Sequence, residues 1–137
     1  MIRAAIPEDA DAMGAILSGW IDATPWMPRI HTREQDAAFC ASLVPHAWIA
    51  GDRAAFMALK DGEMDALYVA EGARRQGRGS ALVAHAKSLS PHLSLWTFQA
   101  NAQARAFYAA HGFAEAERTE GDNDERLPDI RLTWRRS

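Results

Sequence analysis

Between Arg74 and Ser80 the chain reads Arg-Arg-Gln-Gly-Arg-Gly-Ser, which interleaves Arg74, Arg75 and Arg78 with Gly77 and Gly79. A glycine lacks the Cβ that keeps a ligand away from the main chain. If a helix begins here, its first turn presents N–H groups without carbonyl partners at the positive end of its dipole. The combination suits an anion such as a pyrophosphate. Two glycines alone fit a tight, solvated connection equally well. A Walker loop requires Gly-Lys-Ser/Thr, whereas Gly77 is followed by Arg78 and Gly79, and a dinucleotide fingerprint requires a third glycine where Leu82 stands. Neither pattern is met.

Asn101, Arg105 and Tyr108 follow at intervals that bring all three to one side of a helix, with Asn101 suited to its N-cap. Taken alone, the pair Phe107-Tyr108 reads as core. Glu63 and Asp65 alternate with Met64 and Ala66, so strand periodicity predicts both carboxylates on the side of Leu67 and Val69. Such carboxylates either move protons or stand solvated beside the Asp61-Gly62 turn. Cys40 is the lone cysteine, reads as a buried thiol, and has no paired base to make it a nucleophile. His31, His46, His85, His92 and His111 lack the short paired spacing of a zinc site, so no metal is expected.

Elements that position these residues are legible. Met13, Ile16, Leu17, Trp20 and Ile21 recur at helical spacing after Pro7, which predicts a first helix from about Pro7 to Ala23. Pro25 and Pro28 break it, and Thr32 with Gln35 has the spacing of a capping box opening a second helix through Phe39, Cys40, Leu43 and Val44. Apolar runs at 47–50 and 54–59, parted by Gly51-Asp52, and then 63–69 after Asp61-Gly62, predict three antiparallel strands. Leu82, Val83, Ala86 and Leu89 form a third helix's stripe, stopped by Ser90-Pro91. The strand at 93–98 then lies parallel to the strand of Leu67 by the crossover rule. Residues 101–111 form a fourth helix, ended by Gly112 in a left-handed conformation with Phe113 packed back on Tyr108. A final hairpin pairs 113–119 with 130–134.

The 137 residues predict one domain, with 48% hydrophobic content sufficient for a core. With 15 basic against 18 acidic residues, the chain has no electrostatic footprint for nucleic acid or an anionic membrane. Small-molecule or peptide partners are favoured. The first residues lack a signal peptide's apolar region, and a soluble, cytoplasmic protein is expected.

Arg74, Gly77 and Gly79 match the acetyl-CoA signature of the GNAT superfamily of N-acetyltransferases, Arg/Gln-x-x-Gly-x-Gly/Ala, and Asp65-Ala66-Leu67-Tyr68-Val69 resembles its signature strand. The stretch from Asn101 to Phe113 is similar to the family's Asn-x-x-Ala-x-x-Phe-Tyr-x-x-x-Gly-Phe helix. Both motifs occur in the right order on the expected elements. A narrower likeness in Pro25-Trp26-Met27-Pro28 and in 96–101 points to a bacterial subgroup of unassigned acceptor.

The resemblance implies an α/β fold with a mixed, mostly antiparallel sheet of about seven strands and about four helices, strands 4 and 5 parallel and splayed. It implies acetyl-CoA as co-substrate, direct attack by a neutral amine in a ternary complex, and no metal. Arg74, Arg75, Gln76, Gly77, Arg78, Gly79 and Ser80 would hold the phosphates, with Asn101 and Arg105 assisting. The amide of Leu67 would polarise the thioester carbonyl, Val69 would line the pantetheine arm, and Tyr108 would protonate the departing thiolate. Glu63 stands eleven residues before Arg74, as a catalytic glutamate does in some relatives, and either it or Asp65 would be the base. The expected acceptor is a small-molecule amine bound between Trp26, Met27, Arg29 and His31 on one side and the acidic loop of Asp122 and Glu125 on the other. A catalytically weak acyl-CoA sensor on the same fold is the alternative, and a homodimer is compatible with either.

Overall fold

A computed structural model describes residues 1–74 and 76–137. Its seven strands are β1 (Ile2–Ala4), β2 (Ala47–Ala50), β3 (Ala55–Lys60), β4 (Glu63–Val69), β5 (His92–Phe98), β6 (Ala114–Thr119) and β7 (Asp129–Arg135). They form one sheet in the order β1-β2-β3-β4-β5-β7-β6. Every neighbouring pair is antiparallel except β4 and β5, which are parallel, as the intervening helix requires. The helices are α1 (Ala10–Ala23), α2 (Arg33–Leu43), α3 (Arg78–Leu89) and α4 (Ala102–Ala110).

Two buried clusters lie on opposite faces of the sheet. Met13 and Leu17 of α1 and Cys40 and Leu43 of α2 pack on Ile49, Phe56, Ala58 and Ala66. On the other face, Leu82, Val83 and Ala86 of α3 and Tyr108 of α4 pack on Met57, Met64, Leu93, Leu95 and Leu132. The α1–α2 crossing is close enough that a Cβ on Gly14 would stand 2.8 Å from Ala37 Cα.

Local signals have their expected outcomes at several points. Thr32 Oγ1 accepts from Gln35 N at 3.1 Å while Gln35 Oε1 accepts from Thr32 N at 2.8 Å, a complete capping box. Gly112 has φ +88°, and Phe113 N donates to Tyr108 O at 3.0 Å with the two rings 5.4 Å apart. Three details differ. Pro7–Asp9 form a single 3-10 turn ahead of α1. The β2–β3 connection is four residues long, not two, and turns through positive φ at both Gly51 and Arg53. The short edge strand β1 carries no signal that its residues declare on their own.

One departure bears directly on chemistry. The β3–β4 register shifts between Ala58 and Leu59: Ala58 pairs with Ala66 but Leu59 with Met64, so Asp65 is an extra residue in a β-bulge. Alternation breaks there. Met64 joins the α3 face together with Leu67 and Val69, whereas Ala66 joins the α1–α2 cluster, against which Tyr68 packs. The expectation that Glu63 shares the side of Leu67 and Val69 is therefore corrected: as Met64's neighbour, Glu63 lies on the α1–α2 face. There it meets Arg131, whose neighbours Ile130 and Leu132 belong to the opposite face.

Candidate active site

β4 and β5 pair in register only at Glu63 and Ser94. Beyond that point the strands part, and a cleft of about 570 Å³ opens between them. Its walls are β4 from Met64 to Val69 and β5 from Leu95 to Phe98. The start of α3 closes one end, and Asn101, Gln103, Phe107 and Tyr108 close the side.

Gly77 caps α3 in a left-handed conformation, φ +75°, and the first intrahelical bond runs from Ala81 N to Gly77 O at 2.9 Å. A helix start leaves the N–H groups of its first turn without intrahelical carbonyls. Here they belong to Arg78, Gly79 and Ser80, which line the cleft with Arg74 and Gly77. A Cβ on Gly79 would stand 3.4 Å from the Phe107 ring and 3.7 Å from Val69, so glycine keeps this wall open. The donors, the missing Cβ atoms and the parted strands fit a long ligand with a phosphate end and a thin apolar arm.

Tyr108 is 8% exposed, its ring wedged edge-on between Phe107 at 5.2 Å and Phe113 at 5.4 Å. Burial, then proximity to Tyr68, holds its phenol well above the ordinary tyrosine value, so it keeps its proton at any neutral pH. Tyr68, also in the cleft wall, is pushed up to about 12 by burial, followed by Cys40 and Glu125.

Acetyltransferase (GNAT) domains match residues 40–115, which carry β4, α3, β5 and α4. The chain belongs to the GNAT acetyltransferase family. It is 32% identical to the peptidyl-lysine N-acetyltransferase YjaB of Salmonella typhimurium, over 89% of this chain and 88% of that one. It is 31% identical to the peptidyl-lysine N-acetyltransferase YiaC of Escherichia coli, over 88% of each. The solution structure of apo YjaB from Escherichia coli superposes with a TM-score of 0.82 at 29% identity, covering 100% of this chain and 98% of that one. The protein is thus an acetyltransferase that uses acetyl-CoA.

Within this GNAT fold the expected site residues fall into three groups. Leu67, Val69, Arg74, Gly77, Arg78, Gly79, Ser80, Asn101, Asp65 and Tyr108 all line the cleft. Asn101 does so while capping α4, accepting from Ala104 N at 3.0 Å. Asp122 and Glu125 line an adjoining cavity of about 580 Å³ that shares Trp96, Thr97 and Phe98 with the cleft.

Others are engaged elsewhere. Gln76 holds the Arg78 guanidinium, and Arg105 donates to Gln99 O at 3.2 Å. Glu63 is paired with Arg131 at 2.7 Å. Arg29 is a clamp within the α1–α2 connection, bonding Asp22 at 2.9 Å, Asp36 at 3.0 Å and Ser18 O at 3.1 Å. Met27 and His31 line neither cavity. Arg75 lies outside the described residues.

Trp26 reaches the site indirectly, edge-on against Phe98 at 5.8 Å. Trp20, which the periodicity assigned to a helix stripe, lines the cleft and touches both Trp26 at 5.9 Å and Tyr68 at 5.4 Å. Trp20, Tyr68, Phe98 and Gln103 are among the lining residues that sequence reasoning did not assign to the site. The meeting of Trp20 with Tyr68 depends on α1 crossing β4, which no local spacing encodes. Among the described residues no cluster of three or more metal-ligating side chains occurs, and no helix is long and apolar enough to cross a membrane.

Proposed function

We propose that the protein transfers an acetyl group from acetyl-CoA to a primary amine on an alkyl chain, by direct attack in a ternary complex. The observation that carries this reading is a shared wall: the cleft that begins at the α3 N-terminus and the acid-lined cavity are both lined by Trp96, Thr97 and Phe98. Cofactor and amine then approach one point from opposite sides.

Acetyl-CoA supplies an activated thioester carbonyl. The Arg78–Ser80 main chain and Arg74 bind its phosphates, while Leu67 and Val69 line its arm and the Leu67 amide faces the carbonyl oxygen. As the amine nitrogen bonds to the carbonyl carbon and the C–S bond breaks, Tyr108 donates its proton to the sulfur. The amine's own proton leaves through Asp65, which lines the cleft with its side chain 41% exposed and Oδ2 3.6 Å from His46 Nε2, in preference to Glu63, which Arg131 pairs at 2.7 Å. Cys40 is fully buried in the α1–α2 cluster with its thiol pushed up to about 11 by burial and then Asp36, which supports a route without an acyl-enzyme.

The lysine side chain of a peptide is the acceptor to test first, because the relatives YjaB and YiaC are named for that substrate. A small-molecule amine is the second reading, favoured by a second cavity walled by Trp96, Phe98, Asp122 and Glu125, which suits a whole small cation. Incubation with labelled acetyl-CoA and two acceptor sets, lysine-bearing peptides and small polyamines or amino-acid amines, separates them by which set gains label. Tight CoA binding with no label in either set would turn the reading toward an acyl-CoA sensor.

A further inference from the structure

His111 closes α4 on the far side of the phosphate cradle, and it lines neither cavity. Its Nε2 stands 3.1 Å from the hydroxyl of Ser80, the third residue of α3, which does line the cleft. The imidazole packs 4.6 Å from the Phe107 ring, and the His111 main chain is fixed on both sides: its carbonyl accepts from Lys87 Nζ and its backbone amide donates to Tyr108 O at 3.0 Å. Lys87 is in turn seated over the Trp134 ring at 4.9 Å.

We propose that His111 is a positioning residue for CoA, donating from Nε2 to Ser80 Oγ so that the serine hydroxyl hydrogen is aimed at a phosphate of the ligand. This rests on the assignment of the α3 N-terminus to the CoA phosphates. The direction follows from a proton count. A serine hydroxyl has one hydrogen, and a phosphate only accepts; if Ser80 donates to phosphate, its oxygen is free to accept, and Nε2–H is the donor within reach. The resulting chain runs His111 Nε2–H to Ser80 O–H to phosphate, and neighbouring bonds in such a chain polarise one another.

A second consequence concerns charge. In the free protein burial, followed by the Lys87 ammonium, holds His111 below its ordinary value, so the ring is mostly neutral near pH 7. The charged groups around it are Lys87 of α3 and, beyond that, Arg136, which donates to the Lys87 carbonyl at 2.6 Å. No carboxylate is bonded to the ring among the described residues. A phosphate on Ser80 brings the missing negative charge, favours the imidazolium, and makes CoA binding take up a proton as pH falls.

The test is a double-mutant cycle on CoA affinity by calorimetry, with Ser80→Ala, His111→Gln and the pair, at about pH 6 and pH 8. Each single variant is expected to weaken CoA by about three- to tenfold, the net loss of one ordinary hydrogen bond. His111→Gln should cause no further loss in the Ser80→Ala background. Relative to His111→Gln, the wild type should gain affinity from pH 8 to pH 6, a comparison that cancels the ligand's own titration. Repeating the series with 3′-dephospho-CoA identifies the phosphate: a retained coupling assigns the pyrophosphate, and a lost one the 3′-phosphate. Losses that multiply in the double variant, or a His111→Gln protein with wild-type affinity and pH profile, would overturn the proposal. Gly77→Asp is the separate control for the cradle. If it leaves CoA affinity unchanged, the phosphate assignment fails whatever His111 does.

Discussion

The tasks proposed for Tyr108 and Asp65 are opposite, and so are their surroundings. A phenol packed between Phe107 and Phe113 keeps its proton at neutral pH, which suits the proposed role of donor to the departing sulfur. Tyr108→Phe keeps the ring and its packing; kcat should fall by about ten- to a thousandfold with acetyl-CoA KM and melting temperature little changed. Wild-type turnover in that variant would return the residue to a structural role. Asp65 stands at a bulge in the cleft wall, partly exposed and with Oδ2 3.6 Å from His46 Nε2, whereas Glu63 is paired with the permanently charged Arg131. Asp65→Asn should therefore flatten the acidic limb of the kcat/KM profile, and Glu63→Gln should leave that limb in place. The reverse pattern would make Glu63 the base.

At the scale of elements, what the sequence declared was local chemistry. The Thr32–Gln35 box, the Gly112 ending and the strand–turn–helix around Gly77 each depend on residues within a few positions of one another, and each formed as expected. What stayed hidden was non-local. The Asp65 bulge exists because two residues of β4 face one step of β3, a relation between strands that periodicity within β4 cannot report. The side of Glu63 was lost with it. Strand β1 is another case: three residues are held at the sheet edge by pairing with β2 and by an ion cluster in which the buried Asp9 is met by two partly exposed arginines. There Asp9 Oδ2 accepts from Arg3 at 2.8 Å and from Ile6 N at 2.9 Å, and Oδ1 from Arg53 at 2.8 Å. These partners, Arg3 foremost, hold the Asp9 carboxyl well below its ordinary range. A depressed carboxylate contributes stability that is complete above its unfolded value and is lost as pH falls toward the folded one. The melting temperature of the wild type should thus drop as pH goes below about 4, while Asp9→Asn, already weakened at pH 7, should show a shallower acid decline. Parallel acid slopes for the two proteins would remove Asp9 from the acid response.

For the molecule as a whole, the proposed reaction uses the splay of β4 from β5 to keep apart two chemistries that meet only at the thioester. Donors and arginines gather at the α3 end. The carboxylates of Asp122 and Glu125 face the adjoining cavity across Trp96 and Phe98, and α1 and its following loop close over the junction with Trp20 and Trp26. On this proposal a cationic amine would be drawn to the acidic side by its field, and would lose a proton before it reaches the carbonyl. Removing the acids weakens that attraction without touching the phosphate cradle. Asp122→Asn combined with Glu125→Gln should raise the acceptor KM, with the difference from wild type shrinking as salt is added, since screening weakens exposed charges first. Trp26→Ala should raise the same KM by a salt-independent route, because it takes away the ring that supports Phe98 and no charge. Both variants should bind CoA as the wild type does. Steady-state kinetics at two ionic strengths, paired with CoA calorimetry, distinguishes the cases. If both variants keep the wild-type acceptor KM, the amine enters elsewhere; if both lose CoA affinity, the two cavities are one binding site and not two.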